Sequence, residues 1–315
     1  MPDISLQPVD RVEVLSIMDN TIDVLMAGTS IAQRAPLLQD KFSRPPLRAE
    51  HGLSMLITVE SNGKKDSLVF DAGSSAEGVL HNMDVLGVRP GKLHALVVSH
   101  GHPDHTLGLI GILKRNGRKG MPVIVHPDAF LKRRNVLADG RQIDLPPPSR
   151  EDLEAQGISV VEEKGPTLLI DGKVLVTGEI PRTTPFEKGF PLGQAEIDGQ
   201  WRPDPWIYDD QAIVINVRNK GLVVLTGCGH AGLINTLQHA GNATGVKDIY
   251  TVMGGFHLTG KIFEPVIGPT VQALKDMKPK VLIPQHCTGW RATFEIARDF
   301  PEAFVPSSVG TTFVL

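Results

Sequence analysis

The chain has 315 residues, of which 41% are hydrophobic and 21% charged, enough for one large α/β domain or two small ones of ordinary soluble composition. Its formal net charge of -3 offers no bulk attraction to nucleic acid or to an anionic membrane, so an anionic substrate has to be held by local groups. No stretch reaches the about eighteen apolar residues of a membrane span, and Met1-Pro2-Asp3-Ile4-Ser5 lacks a basic region followed by an apolar one, so a cytoplasmic protein is expected.

In chain order, strand-like apolar runs fall at 12–16, 53–59, 67–70, 96–98, 123–125, 168–170, 174–176, 212–217, 222–225, 249–253 and 281–283. Helical spacing predicts helices over 76–86, 105–113, 151–156, 231–240, 264–277 and 290–300. Several strands come first, and strands then alternate with helices in both halves. That order predicts an α/β fold with two sheets and helices outside them, in a single domain over 1–315. Pro45-Pro46 and Pro146-Pro147-Pro148 read as turns. The segment 181–209 is longer than an ordinary connection and gathers Phe186, Phe190, Trp201, Trp206 and Tyr208. A long aromatic loop in a compact enzyme is expected to cover substrate, with packing against the outer helices as the other reading.

The most informative run is Ser99-His100-Gly101-His102-Pro103-Asp104-His105. It follows the apolar stretch 93–98, and Gly101 and Pro103 argue against a helix through the motif. On a strand-end loop the backbone can aim His100, His102, Asp104 and His105 at one small volume. Imidazole nitrogen and carboxylate oxygen are ligands for zinc, and also for iron or manganese. His230, His257 and His286 each follow a strand-like run. If those strands are parallel neighbours, their C-terminal ends bring all three to the face where α/β proteins gather ligands. A faint echo between 96–102 and 223–230 supports placing the second motif near the first. The two cysteines, Cys228 and Cys287, sit in Gly/His-rich turns and read as reduced thiols rather than a disulfide, Cys287 as a packing residue.

The His-x-His-x-Asp-His run, Phe70-Asp71-Ala72-Gly73 at a strand end and the closing Gly310-Thr311-Thr312-Phe313-Val314-Leu315 resemble the metallo-β-lactamase superfamily. More narrowly, His51-Gly52-Leu53-Ser54, Gly178-Glu179-Ile180-Pro181-Arg182, Thr226-Gly227-Cys228-Gly229-His230-Ala231-Gly232, Gly254-Gly255-Phe256-His257-Leu258 and His286-Cys287-Thr288-Gly289 resemble its subgroup of dihydropterin ribofuranosylaminobenzene phosphate synthase-like metal-dependent hydrolases. The resemblance implies a four-layer αββα sandwich of metallo-β-lactamase type. It implies that His100, His102 and His230 bind one metal and Asp104, His105 and His286 a second, with Asp71 behind them orienting a ligand or the motif loop. Where many of these hydrolases carry a bridging Asp after Thr-Gly, this chain has Cys228, which either ligates as a thiolate or merely fills a tight turn. Glu179 is a replacement oxygen ligand to consider.

The implied activity is a metal-dependent hydrolase, with one or two zinc ions making hydroxide from water and Asp104 and His257 as the catalytic side chains, His257 stabilising the oxyanion. A pterin-related carbon-nitrogen bond-forming synthase is the alternative, and a non-hydrolytic metal-binding redox or ligand-sensing protein the alternative of another class. Arg182, Lys188, Arg202 and Arg291 are candidates for holding a phosphate or carboxylate, with Phe186, Phe190, Trp201 or Trp206 covering a planar group. A solvated charged loop is the other reading of those residues. The expected partner is a small molecule, with neither nucleic acid nor membrane involved.

Overall fold

The computed structural model describes residues 4–35 and 45–315. Residues 1–3, at the head of the N-terminal segment read for a targeting signal, lie outside them.

Side-chain alternation sets the layers. In the strand Arg11–Met18, Val12 and Val14 enter the core between the two large sheets, whereas Ile17 and Met18 enter the core beneath the outer helices. The strand Gly221–Thr226 does the same, sending Val223 and Leu225 inward and Leu222 and Val224 outward. Both faces of Gly221–Thr226 are buried, so it reads as an unbroken apolar run, whereas Arg11–Met18 alternates because Arg11, Glu13 and Leu15 are only half-buried. One sheet has eight strands in the order Ala32–Gln33, Thr312–Val314, Arg11–Met18, Ser54–Ser61, Lys64–Phe70, Leu96–Val97, Pro122–Val125 and Ser159–Glu162. The other has six, in the order Thr167–Leu169, Val174–Val176, Ala212–Val217, Gly221–Thr226, Ile249–Gly255 and Val281–Gln285.

Helices Ala76–Leu86 and Leu109–Asn116 cover the outer face of the first sheet through Val79, Met83, Leu109 and Ile112. Helices Leu233–Thr244, Ile267–Met277 and Trp290–Asp299 cover the second through Leu237, Val271, Leu274 and Ile296. The result is the expected αββα sandwich. Among the described residues no helix is long and apolar enough to cross a membrane.

Parallel pairing positions the site. Lys64–Phe70, Leu96–Val97 and Pro122–Val125 run parallel, and so do Gly221–Thr226, Ile249–Gly255 and Val281–Gln285. Asp71 and the 99–105 motif leave one sheet at strand C-termini, and Cys228, His230, His257 and His286 leave the other in the same way.

Three expectations need correction. The motif does enter a helix, because Pro103–Thr106 forms a single turn with Pro103 at its first position, where a missing N–H costs nothing. Asp104 and His105 therefore ride on a helical turn, and the helix expected over 105–113 runs instead over Leu109–Asn116. Second, 181–209 is not all loop. Gly193–Ile197 and Gln200–Pro203 form a hairpin that pairs with Arg133–Val136, itself paired with Gln142–Leu145, so a third, four-stranded antiparallel sheet is present. Its turn is Asp198-Gly199, with φ of 52° and 73°, the pair of left-handed residues that a two-residue hairpin loop requires. Third, the edge strands Ser159–Glu162 and Ala32–Gln33 escaped the apolar-run criterion, being short and only partly apolar.

Candidate metal centre

The centre begins at Asp71, the first residue after Lys64–Phe70, buried and in the left-handed region at φ 61°. Its Oδ1 accepts the Ser99 N–H at 2.7 Å, and its Oδ2 accepts Ser99 Oγ–H at 2.7 Å and His105 Nδ1–H at 2.6 Å. With its hydroxyl proton committed to Asp71, Ser99 accepts from His100 Nδ1–H at 2.9 Å. Across the cleft, His286 Nδ1–H donates to Asn20 Oδ1 at 3.1 Å. These bonds assign the proton of each ring to Nδ1 and leave Nε2 as a bare donor atom turned inward.

The rings of His100, His102 and His230 lie 4.5, 4.7 and 4.8 Å apart by centroid. Asp104 Oδ2 is 3.8 Å from His105 Nε2 and 3.2 Å from His286 Nε2. Cys228 Sγ lies 3.2 Å from His105 Nε2. Its sulfur falls within 4.8 Å of the donor atoms of Asp104, His105 and His286, and equally of those of His100 and His230. The thiol thus stands between two groups of donors. The Nε2 atoms of His100, His102, His230 and His286 are all buried and have no hydrogen-bond partner. Buried polar atoms are rarely left so, and convergent bare imidazole nitrogens beside a carboxylate and a thiol fit a divalent cation.

Electrostatics divides the two groups. Burial, helped by neighbouring imidazoles, holds His100 and His230 well below the usual histidine range, and burial with the Arg133 charge pushes His102 down to about 4. All three are neutral at pH 7, the form that ligates. His105 goes the other way: burial opposes its charge, but the carboxylates of Asp71 and Asp104 push it up to about 9, so at pH 7 its Nε2 also carries a proton, which a cation there would displace. Burial alone would raise Asp104, yet His105 and His286 hold it well below the usual carboxylate range.

A ring of buried carboxylates, none of them singled out in the sequence, pins the loops that carry these groups. Asp209 Oδ2 accepts Gly101 N–H at 2.8 Å, Asp210 Oδ2 accepts Ala231 N–H at 2.8 Å, and Asp19 Oδ1 accepts His286 N–H at 2.9 Å. Arg133 neutralises Asp209 and Asp204 at 2.7 and 2.8 Å. Asp209-Asp210 was detectable as an acidic pair at the head of the fully apolar run 212–215. Asp19 carried no comparable mark.

A cavity of about 370 Å³ opens beside the centre, lined by His102, Asp104, Cys228, His230 and His257 and, from the third sheet, by Arg134 and Gln194. A second cavity of about 370 Å³ shares His230 and His257 and is walled by Phe186, Leu233, Phe256 and Phe263, with Lys188 at its edge. His257, in the left-handed region at φ 47°, lies between the two with its ring 4.1 Å from that of His230.

The structure brings His100, His102, Asp104, His105, His230, His286 and Cys228 together, with Asp71 behind them. Phe186 reaches the second cavity. Arg182 and Trp206 line neither cavity. Arg182 instead donates to the carbonyls of Ile180, Trp206 and Ile207 and so holds the chain at 206–207. Glu179 lies apart from the centre, 3.3 Å from His126 Nε2, with Asp128 nearby. Arg202 is on the exposed hairpin strand and Arg291 pairs with Glu264 at 2.7 Å.

Comparison with known proteins agrees with this architecture. A family model described as the metallo-beta-lactamase superfamily matches residues 47–238. The 7,8-dihydropterin-6-methyl-4-(beta-D-ribofuranosyl)-aminobenzene-5'-phosphate synthase of Methanocaldococcus jannaschii is 33% identical over 266 residues, 82% of this chain and 88% of its own length. An uncharacterized protein of the same organism is 30% identical over 263 residues, 83% of this chain and 93% of its own. Among solved structures, Tm1679, described as a metal-dependent hydrolase of the beta-lactamase superfamily, superposes with a TM-score of 0.71 at 23% identity, covering 96% of this chain and 98% of that one.

Proposed function

The chain belongs to the metallo-β-lactamase superfamily, and on that premise we propose that it is a metal-dependent hydrolase acting on a small anionic molecule. His100, His102 and His230 hold one cation, Asp104, His105 and His286 a second, and Cys228 stands between them. The observation that carries this reading is the convergence of buried, unpartnered Nε2 atoms on a carboxylate at the mouth of a cavity. Zinc suits the nitrogen, oxygen and sulfur donors, with iron or manganese as other fits. Cations bound there supply Lewis acidity, lowering the pKa of water from about 15.7 to about 7.

The chain's own side chains do the rest. Arg134 binds the substrate anion: its Nε and Nη1 are held by Gln194 and Gln142 at 2.9 and 2.8 Å, its guanidinium lies 4.0 Å from the Trp201 ring centroid, and among the described residues no carboxylate pairs with it. Arg133, neutralised by Asp204 and Asp209, orients the motif loop instead. His257, whose Nδ1 is buried without a partner, donates to the leaving group or the developing oxyanion. Asp104 anchors the second group of donors and keeps its charge at neutral pH. Phe190, Gly193, Gln194 and Ile207 form part of the cavity wall, which supports the segment 181–209 as the substrate cover. A reducing, cytoplasmic setting suits the two buried free thiols.

A second reading, a pterin-related synthase forming a carbon-nitrogen bond, is favoured by the 33% identity to the archaeal synthase and by the two cavities that meet at His230 and His257, room for two ring systems. A panel of phosphoesters, carboxylic esters and lactones, assayed with metal-loaded and chelator-treated protein, separates the readings. Metal-dependent cleavage of an anionic member supports the hydrolase. No cleavage, with condensation of a pterin and an aminobenzene partner, overturns it in favour of the synthase.

A further inference from the structure

Packing does not account for the position of Cys287. It follows His286 in the turn His286–Thr288 and is buried, yet it borders the catalytic cavity, and its Sγ–H donates to the Cys228 carbonyl at 3.3 Å. Gly255 keeps the space around that sulfur open, since a Cβ there would come within 2.7 Å of it. The Sγ atoms of Cys228 and Cys287 and a ring nitrogen of His257 all lie within 4.8 Å of one another. His257 Nδ1 is itself buried without a partner.

Two sulfurs and one imidazole nitrogen make a softer donor set than either of the two histidine-rich groups beside it, and thiolates select zinc and heavier thiophilic ions. All three residues line the cavity, so a further coordination position faces its interior. We propose that Cys228, His257 and Cys287 form a third, thiophilic metal site in the cavity wall, taking a soft divalent cation such as zinc or cadmium. The cation displaces the thiol protons to solvent and is neutralised by the two thiolates. Because Cys228 is common to all three donor groups, an ion here competes with the histidine-rich positions for its sulfur, and while bound it withdraws His257 from proton donation. The site stands whether or not the protein is a hydrolase.

The test is titration of the metal-free full chain with cadmium, following thiolate-to-cadmium charge-transfer absorption and bound cadmium together. The wild type is expected to show the band, and Cys287→Ser to lose about half its amplitude, one thiolate of two, while still binding cadmium at the histidine-rich positions. His257→Gln, which keeps both sulfurs, is expected to need about tenfold or more cadmium to develop the same band. No band in the wild type, an unchanged band in Cys287→Ser, or an unshifted titration in His257→Gln would each overturn the proposal. If Cys287→Ser does not fold, the His257→Gln titration decides. Loss of all cadmium binding in Cys287→Ser would also overturn it, because the thiols would not then form a position of their own.

Discussion

The Asp209 carboxylate accepts the Gly101 N–H at 2.8 Å from a point 108 residues further along the chain. The bond falls between His100 and His102, so it fixes how far apart those two imidazoles can swing. Asp71 at Ser99, Asp210 at Ala231 and Asp19 at His286 repeat the arrangement at other loops of the centre. Buried carboxylates behind metal ligands hold the ligand geometry before any ion arrives.

Asp209→Ala leaves Gly101 N–H without its acceptor and strips the buried Arg133 of one of its two carboxylates. Breaking a buried pair from one side costs about 3–5 kcal/mol, and loss of such support weakens metal binding about 10–100-fold. Urea unfolding and competition with a chromophoric chelator measure the two effects. A variant with wild-type values in both would show that the contact is incidental.

Acid should act through the same residue. Burial alone would raise the Asp209 carboxyl, but the Arg133 guanidinium and the Gly101 N–H hold it below the usual carboxylate range. A depressed folded pKa means that the unfolded chain takes up the proton first as the pH drops. Its stability contribution is therefore complete above the unfolded value of about 3.9 and is lost as the pH falls through the folded one. Melting temperatures measured downward from pH 6 should show a shallower acid limb in Asp209→Asn than in the wild type. Parallel limbs would mean that another group governs acid unfolding.

Arg134→Ala should raise KM for an anionic substrate about 10–100-fold, the worth of a charge-assisted hydrogen bond of about 1.5–3 kcal/mol, with kcat little changed. Arg182→Ala should do the reverse, lowering the melting temperature while KM stays put, because its guanidinium serves backbone carbonyls rather than the cavity. Steady-state kinetics and calorimetry on the pair distinguish the roles, and a KM effect confined to Arg182→Ala would reverse them.

What the sequence revealed follows from which contacts are local. The strands Ala212–Val217 and Gly221–Thr226 were legible because burial on both faces leaves long apolar runs, and Ala76–Leu86 because Val79 and Met83 recur at helical spacing on its buried face. The third sheet was hidden because Gln200–Pro203 is exposed throughout and Gln142–Leu145 nearly so, which erases the alternation that marks a strand. The Asp198-Gly199 turn was a local signal for it that the reading of 181–209 as a loop passed over. The histidine cluster was visible because its members sit at strand ends or within one short run. Asp19, Asp209 and Arg133 act across the fold, and no spacing in the chain links them to their targets. Arg182 looked like a free cation for the complementary reason: its partners are carbonyls, which every residue carries.

The central claim is that two donor groups meet at Cys228, one built on His100 and His230 with His102 beside them, the other on Asp104, His105 and His286. Elemental analysis of the wild type, His102→Ala and His286→Ala, each purified with zinc and confirmed folded by circular dichroism, tests it most directly. The account predicts about two equivalents of metal in the wild type, since the position at Cys228 and Cys287 competes for the shared sulfur rather than adding an ion, and a loss of about one in either variant. Full metal content in both variants, or none in the wild type, would contradict it.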